Sequence, residues 1–216
     1  DLPLLIHGEV TESDIDIFDR EKVFIDRHLA PLVQRFPALR VVLEHITTTQ
    51  AADFVTNAGP NIAATITAHH LLLDRKALFQ GGMRRRDYCF ALLKRAEHRQ
   101  AVVNAATSAN PKFFLGTDSA PHAKHTKEHA CGCAGVYTAN AAFELYAEAF
   151  DAVGALEKLE GFASFFGADF YGLPRNGQKI SLTKTAAAIP SELKYGNQAL
   201  VPFRAGENVA WSMVHA

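Results

Sequence analysis

Four runs in this chain are apolar almost throughout, and each is followed by a stretch that leads into a helical pattern: "LPLLIH" at 2–7, "LRVVLEH" at 39–45, "NIAATIT" at 61–67 and "KFFLGTD" at 112–118. A strand with apolar side chains on both faces must be covered on both faces, which a parallel sheet with packed helices achieves. The chain is therefore expected to be an α/β protein. The first unit continues into "DREKVFIDRHLAPLVQRF" at 19–36, where Ile25, Leu29, Leu32 and Phe36 recur at helical spacing. Further helices are predicted over 48–59, with Gly59 as the stop, and over 91–106, 138–150 and 154–166. From Gly172 the tail is rich in Pro, Gly and Thr, with short strands predicted near 178–183 and 209–214. No internal repeat of solenoid length is visible.

With 216 residues, of which 48% are hydrophobic and 21% charged, the chain can bury a substantial core and fits one large domain better than two small ones. Lys+Arg 22 against Asp+Glu 23 gives a net charge of -1, so no global field favours nucleic acid or an anionic membrane. No run reaches the ~18 apolar residues of a membrane span. Asp1 is followed by no signal-like segment, and a cytoplasmic protein is expected. Cys89, Cys131 and Cys133 are odd in number and lack a disulfide-scaffold context, so reduced thiols are expected. The Cys-x-Cys pair could bind metal, although structural zinc sites favour wider spacing and four ligands.

In parallel α/β folds the chemistry collects at the carboxyl ends of strands, which is where His7, His45 and Asp118 fall. Each alone has a structural reading: a strand-end histidine can simply be hydrogen-bonded, and an aspartate there can cap the next helix. Together, two neutral imidazoles and a carboxylate suit a divalent zinc-like ion, which polarises a carbonyl and lowers the pKa of bound water to ~7. The carboxylate can also accept the proton of that water. His69 and His70, just after the third run, admit either a functional or a structural role. His125 and His129, with Lys124 and Lys127, read as a solvated face, and His28 and His98 as helix-surface residues. Arg84, Arg85 and Arg86 could hold an anion, but Asp87 dilutes the run and favours a solvated loop.

The segments "PLLIHGEVTESDIDIFDRE", "LEHITT", "FFLGTDSAPHAKHTKEHACGCAG" and "FYGLPRN" closely resemble the bacterial single-domain dihydroorotases of the amidohydrolase superfamily. The resemblance runs over almost the whole chain. It implies a (β/α)8 TIM-barrel type of fold, of which residues 1–216 form the C-terminal half, strands five to eight, with a C-terminal extension. It also implies reversible, zinc-dependent cyclisation of N-carbamoyl-L-aspartate to L-dihydroorotate, with two zincs per complete active site. His7 and His45 match ligands of the second zinc, and Asp118 matches a ligand of the first that is also the general acid/base. His7, Phe90, His122 and Ala134 match positions that meet the small-molecule substrate, His122 through its side chain and Ala134 through its backbone. Cys131 and Cys133 are then expected to be packing residues on a tight glycine-bearing turn.

The sequence departs from the family in three places. It lacks the family's His-x-His pair and bridging lysine, so that about a third of the enzyme is expected to be absent, given the size of such barrels. Where the family has an Arg-Pro-His run and then Leu-Pro, this chain reads "MRRRDYCFA", which removes two prolines and places Phe90 at the substrate-contacting leucine. "TKTAAAIP" lacks an expected aromatic. Half of a barrel leaves two strand edges and an apolar inner face. A homodimer or pairing with another fragment is therefore expected, and a non-catalytic or redesigned half-barrel scaffold is the alternative to an enzyme.

Overall fold

The computed structural model of the protein describes residues 2–215. Its centre is a four-stranded parallel sheet in the order β1-β2-β3-β4, formed by β1 (Leu4–His7), β2 (Val41–Glu44), β3 (Ile62–Ile66) and β4 (Phe113–Leu115). The register pairs Leu5 with Val42, Val42 with Ala63, and Thr65 with Phe114. Alternation along each strand then defines two faces. Val41, Leu43, Ile62, Ala64, Ile66 and Phe113 share the main core with helix residues such as Ile25, Leu29, Val55, Val102 and Phe150. The opposite face carries Val42, Ala63 and Phe114, packed by Phe166, Phe170 and Tyr171.

That second packing corrects the expectation of a bare inner face. The helix α8 (Phe166–Tyr171) lays its aromatic side chains against the inner strand residues, with Phe170 and Tyr171 ring centroids 5.8 and 5.7 Å from Phe114. These rings are partly buried there, so each contributes a fraction of the roughly 1.5–3 kcal/mol of a fully buried side chain. The edge at β1 is different, since Leu4 and Leu5 remain 39% and 47% exposed.

The strands read directly from the sequence, but several helices differ from expectation. The first helix runs through α1 (Arg20–Phe24), a π turn at Ile25–Leu29 and α2 (Ala30–Arg35). α3 (Thr49–Asn57) starts because the Thr48 hydroxyl accepts the Ala51 N–H, and it ends two residues before Gly59. α4 (Ala68–Leu72) is capped in the same way by Thr67. α5 (Ala96–Ala106) begins five residues later than the predicted 91–106. Residues 91–94 are buried as an irregular segment, so their apolar run reflects burial without helical periodicity. Beyond the short α6 (Lys124–Lys127), α7 (Ala142–Asp151) matches the prediction over 138–150. The predicted helix at 154–166 is instead a short turn at Leu156–Lys158, a π turn at Gly161–Phe165 and then α8. The tail holds β5 (Ile180–Thr183) paired with β10 (Ser212–His215), close to the expected strands, and four shorter strands between them. Among the described residues no helix is long and apolar enough to cross a membrane.

Candidate metal centre

His7 is the last residue of β1, and His45 directly follows β2, so the parallel pairing brings two strand ends together. His7 Nδ1 lies 3.1 Å from His45 Nε2. Two imidazole nitrogens aimed at one another at this distance either share one proton or present two lone pairs to one cation. The far side of His7 fixes its tautomer, because Nε2 donates to the Glu9 carboxylate at 3.0 Å. That leaves Nδ1 as the ligand atom, held by an outer carboxylate in the manner usual for metal-bound histidines. Glu9 is itself buried, with its other oxygen 3.9 Å from the buried Lys94 ammonium.

The electrostatics of the two rings differ for identifiable reasons. The Glu9 hydrogen bond holds His7 above the usual imidazole range, against a smaller opposing effect of burial. Burial pushes His45 below that range, reinforced by the neighbouring His7. The His45 backbone N–H donates to Thr65 Oγ1 at 2.8 Å, which ties this residue to β3. Behind it the buried carboxylate of Glu21 accepts from the Thr47 N–H at 2.9 Å and from the Thr48 hydroxyl. Burial raises the Glu21 pKa, with Lys94 opposing.

Asp118 follows β4, and its pKa is raised by burial, while the charge of His7 acts in the opposite sense. Its field in turn contributes to the raised pKa of His7. The expected trio therefore shares one end of the sheet, with His7 and His45 in direct contact. Among the described residues, however, the three-residue set whose ligand atoms all lie within 4.8 Å of one another is His69, His70 and Cys89.

The expected substrate-side residues also meet. His122 Nε2 lies 2.9 Å from the Ala134 carbonyl oxygen, so the ring and the backbone position identified separately in the sequence form one contact. A side chain at Gly135, where φ is +135°, would lie 2.5 Å from Ala120 Cβ and 3.0 Å from His122 Nε2. Phe90 is 43% exposed and packs edge-on against Tyr88, with centroids 5.4 Å apart.

Other sequence readings need correction. Lys127 is buried, not solvated: its ammonium donates to the carbonyls of Tyr88, Cys133 and Gly135 at 3.0, 2.7 and 2.8 Å. Cys131 is exposed and does not pack. The arginine run, by contrast, is exposed as expected of a solvated loop, with Arg86 paired to Glu128 and Arg85 donating to the Glu128 backbone oxygen. Those groups line a cavity of about 810 Å³ that also holds Glu148 and Arg204, away from His7 and His45. Sequence reasoning missed Glu9, Glu21 and Lys94, although Glu9 stands two residues after His7 in "HGE".

Imidazoles and a carboxylate gather at strand ends at this end of a parallel sheet, and residues 1–208 match the amidohydrolase family. The chain belongs to that family. Within it the similarity is to dihydroorotases: the Nitrosococcus oceani dihydroorotase is 65% identical over 212 residues, 98% of this chain and 61% of that protein. The crystal structure of Saccharomyces cerevisiae dihydroorotase in complex with 5-fluoroorotic acid superposes with a TM-score of 0.90 at 34% identity, covering 99% of this chain and 63% of that one. The Campylobacter jejuni dihydroorotase gives 0.88 at 32%, over 99% and 61%. The chain thus spans about three fifths of the length of these relatives, and its sheet is part of their TIM-barrel fold.

Proposed function

We propose that the chain carries the second-metal and acid/base side of a dihydroorotase active site, interconverting N-carbamoyl-L-aspartate and L-dihydroorotate in the cytoplasm. The observation that supports this most strongly is the His7 Nδ1 to His45 Nε2 approach of 3.1 Å, with Glu9 behind His7, in a chain 65% identical to a dihydroorotase. The donor set fits zinc: two imidazoles facing one point, one oriented by an outer carboxylate, and a carboxylate on the same sheet end. His7 and His45 would hold one ion, and Asp118 would serve the other. Bound zinc would supply carbonyl polarisation and hydroxide near neutral pH.

Asp118 then moves the proton. In ring opening it takes a proton from the attacking water and returns it to the departing amide nitrogen; in cyclisation the transfers run in reverse. Its raised pKa brings it closer to the working pH, as a shuttling carboxyl requires. His122, steadied by Ala134, and Phe90 would border the substrate.

Two imidazoles and one carboxylate are too few for a two-ion centre with a bridging ligand, so the chain alone is inactive under this proposal. Residues 1–216 form part of one barrel domain, and the exposed β1 edge is where the remaining strands, or a second copy, would pair. The test is turnover of dihydroorotate with excess zinc, by the chain alone and with a polypeptide covering the rest of a relative. Activity is expected only in the second case, and it should be lost with Asp118→Asn. Turnover by the chain alone, or by the asparagine variant, would reject these assignments.

A further inference from the structure

His69 and His70 sit side by side on α4, with ring centroids 4.5 Å apart, and Cys89 reaches them from the segment 73–95, irregular apart from 3-10 turns at Arg75–Phe79 and Arg85–Asp87, that joins α4 to α5. All three are buried. Cys89 Sγ lies 3.8 Å from His70 Nε2, and one ligand atom from each residue lies within 4.8 Å of the others. Neither ring nitrogen of the fully buried His69 has a hydrogen-bond partner among the described residues. Leaving such a group unsatisfied costs about 1–3 kcal/mol, so a buried imidazole with two orphaned nitrogens points to a missing partner.

Charge and softness narrow the choice. Burial pushes the Cys89 thiol up to about 12 and His69 down to about 3, so the uncomplexed cluster is neutral. A thiolate with two imidazoles carries a single negative charge. A monovalent ion makes the site neutral, whereas a dication leaves a net positive charge in a buried place where Lys94 and Lys127 already offset the fields of Asp118 and Asp87. Thiolate and imidazole are ligands suited to copper(I).

We propose that His69, His70 and Cys89 form a buried three-coordinate site for copper(I), which staples the segment 73–95 to α4. On binding, the Cys89 S–H bond breaks, its proton leaves to solvent and the sulfur pair binds the ion, with no change of oxidation state. His70 Nε2, which donates to the Ala91 carbonyl at 3.0 Å, becomes a ligand when its proton moves to Nδ1, where Thr67 Oγ1 at 2.7 Å accepts it. Phe90 lies next to Cys89 in sequence, so the staple would also order the candidate substrate-side segment.

The test starts from Cys131→Ser/Cys133→Ser protein, which removes the other thiols. Anaerobic copper(I) titration against a chromophoric chelator should show one retained equivalent, and X-ray absorption should show one sulfur and two nitrogen neighbours. Cys89→Ser and His69→Gln should each weaken retention about tenfold or more, with unchanged circular dichroism for His69→Gln serving as the folding control. Copper should also slow proteolysis within 73–95 by a similar factor. Retention indifferent to both variants, sulfur-only coordination, unchanged proteolysis, or zinc held at these residues in preference to copper would each overturn the proposal.

Discussion

His45 and Asp118 leave their strands through the same left-handed backbone conformation, with φ +43° in each. Neither is glycine, and a side chain in this region costs roughly 1 kcal/mol or more per residue. The two residues follow β2 and β4, on either side of β3. The strain therefore falls at the two strand ends whose side chains are assigned to different metal ions. β3 supports the arrangement from between them, since Thr65 accepts the His45 N–H.

Gly116 allows β4 to come close enough for that support. A Cβ there would lie 2.5 Å from Thr65 Cβ and 2.9 Å from Thr65 Oγ1, the atom bonded to His45. We expect Gly116→Ala to displace Thr65, to cost about 1–3 kcal/mol in urea unfolding and to weaken zinc binding. Wild-type stability together with wild-type zinc affinity would disprove the coupling.

Glu9 is expected to act on the metal through His7. Glu9→Gln keeps the size of the side chain but removes the negative charge that faces His7 Nε2, so His7 should titrate lower, by NMR, and zinc affinity should fall about 10–100-fold. An unchanged affinity would mean that the carboxylate serves only to pair Lys94.

The same hydrogen bond sets the pH at which protons compete with metal. His7 is raised above 6.5 and His45 is lowered below it, so acidification protonates His7 first. Zinc retention should start to fall while the pH is still above 6.5, the ordinary imidazole value. For folding without metal the sign is opposite. A raised histidine stabilises below its unfolded pKa, and that contribution disappears as pH rises through the folded value; for the half-exposed His7 the effect is small. Metal affinity measured across about pH 5 to 8 separates the two. Loss of zinc confined to the region below the usual imidazole pKa would contradict the assigned order.

The strands were legible because β2 and β3 are apolar on both faces, and the candidate trio because strand ends in such sheets are where side chains converge. What the sequence concealed were charges whose burial is created by tertiary structure. Lys94 follows the apolar run 91–93 and reads as the polar side of a helix, yet it turns inward to the Leu92 carbonyl and toward Glu9. His69 and His70 carry no local sign of being buried against Cys89, because the segment bringing Cys89 there has no regular periodicity. The aromatic cover supplied by α8 was missed because the predicted helix ends at 166, where α8 begins after the π turn at Gly161–Phe165.

Lys127 yields the most direct stability prediction. Its ammonium holds three carbonyls, one from Tyr88 and two from Cys133 and Gly135, so a single side chain joins the segment bearing Phe90 to the loop bearing Ala134. Burial lowers its pKa, but three carbonyl oxygens can all be satisfied only by a group with three donors. Lys127→Met fills the same space and supplies none. We expect a loss of about 2–4 kcal/mol, from the stranded Cys133 and Gly135 carbonyls and lost charge-assisted bonds, with faster proteolysis near 129–135. Lys127→Arg should recover part of the stability, because the guanidinium still donates, although its planar fork cannot reproduce the same three contacts. If methionine left both stability and proteolysis unchanged, the three bonds would contribute nothing, and the Gly135 N–H to Tyr88 carbonyl bond of 2.8 Å, with the apolar neighbours, would hold the two segments.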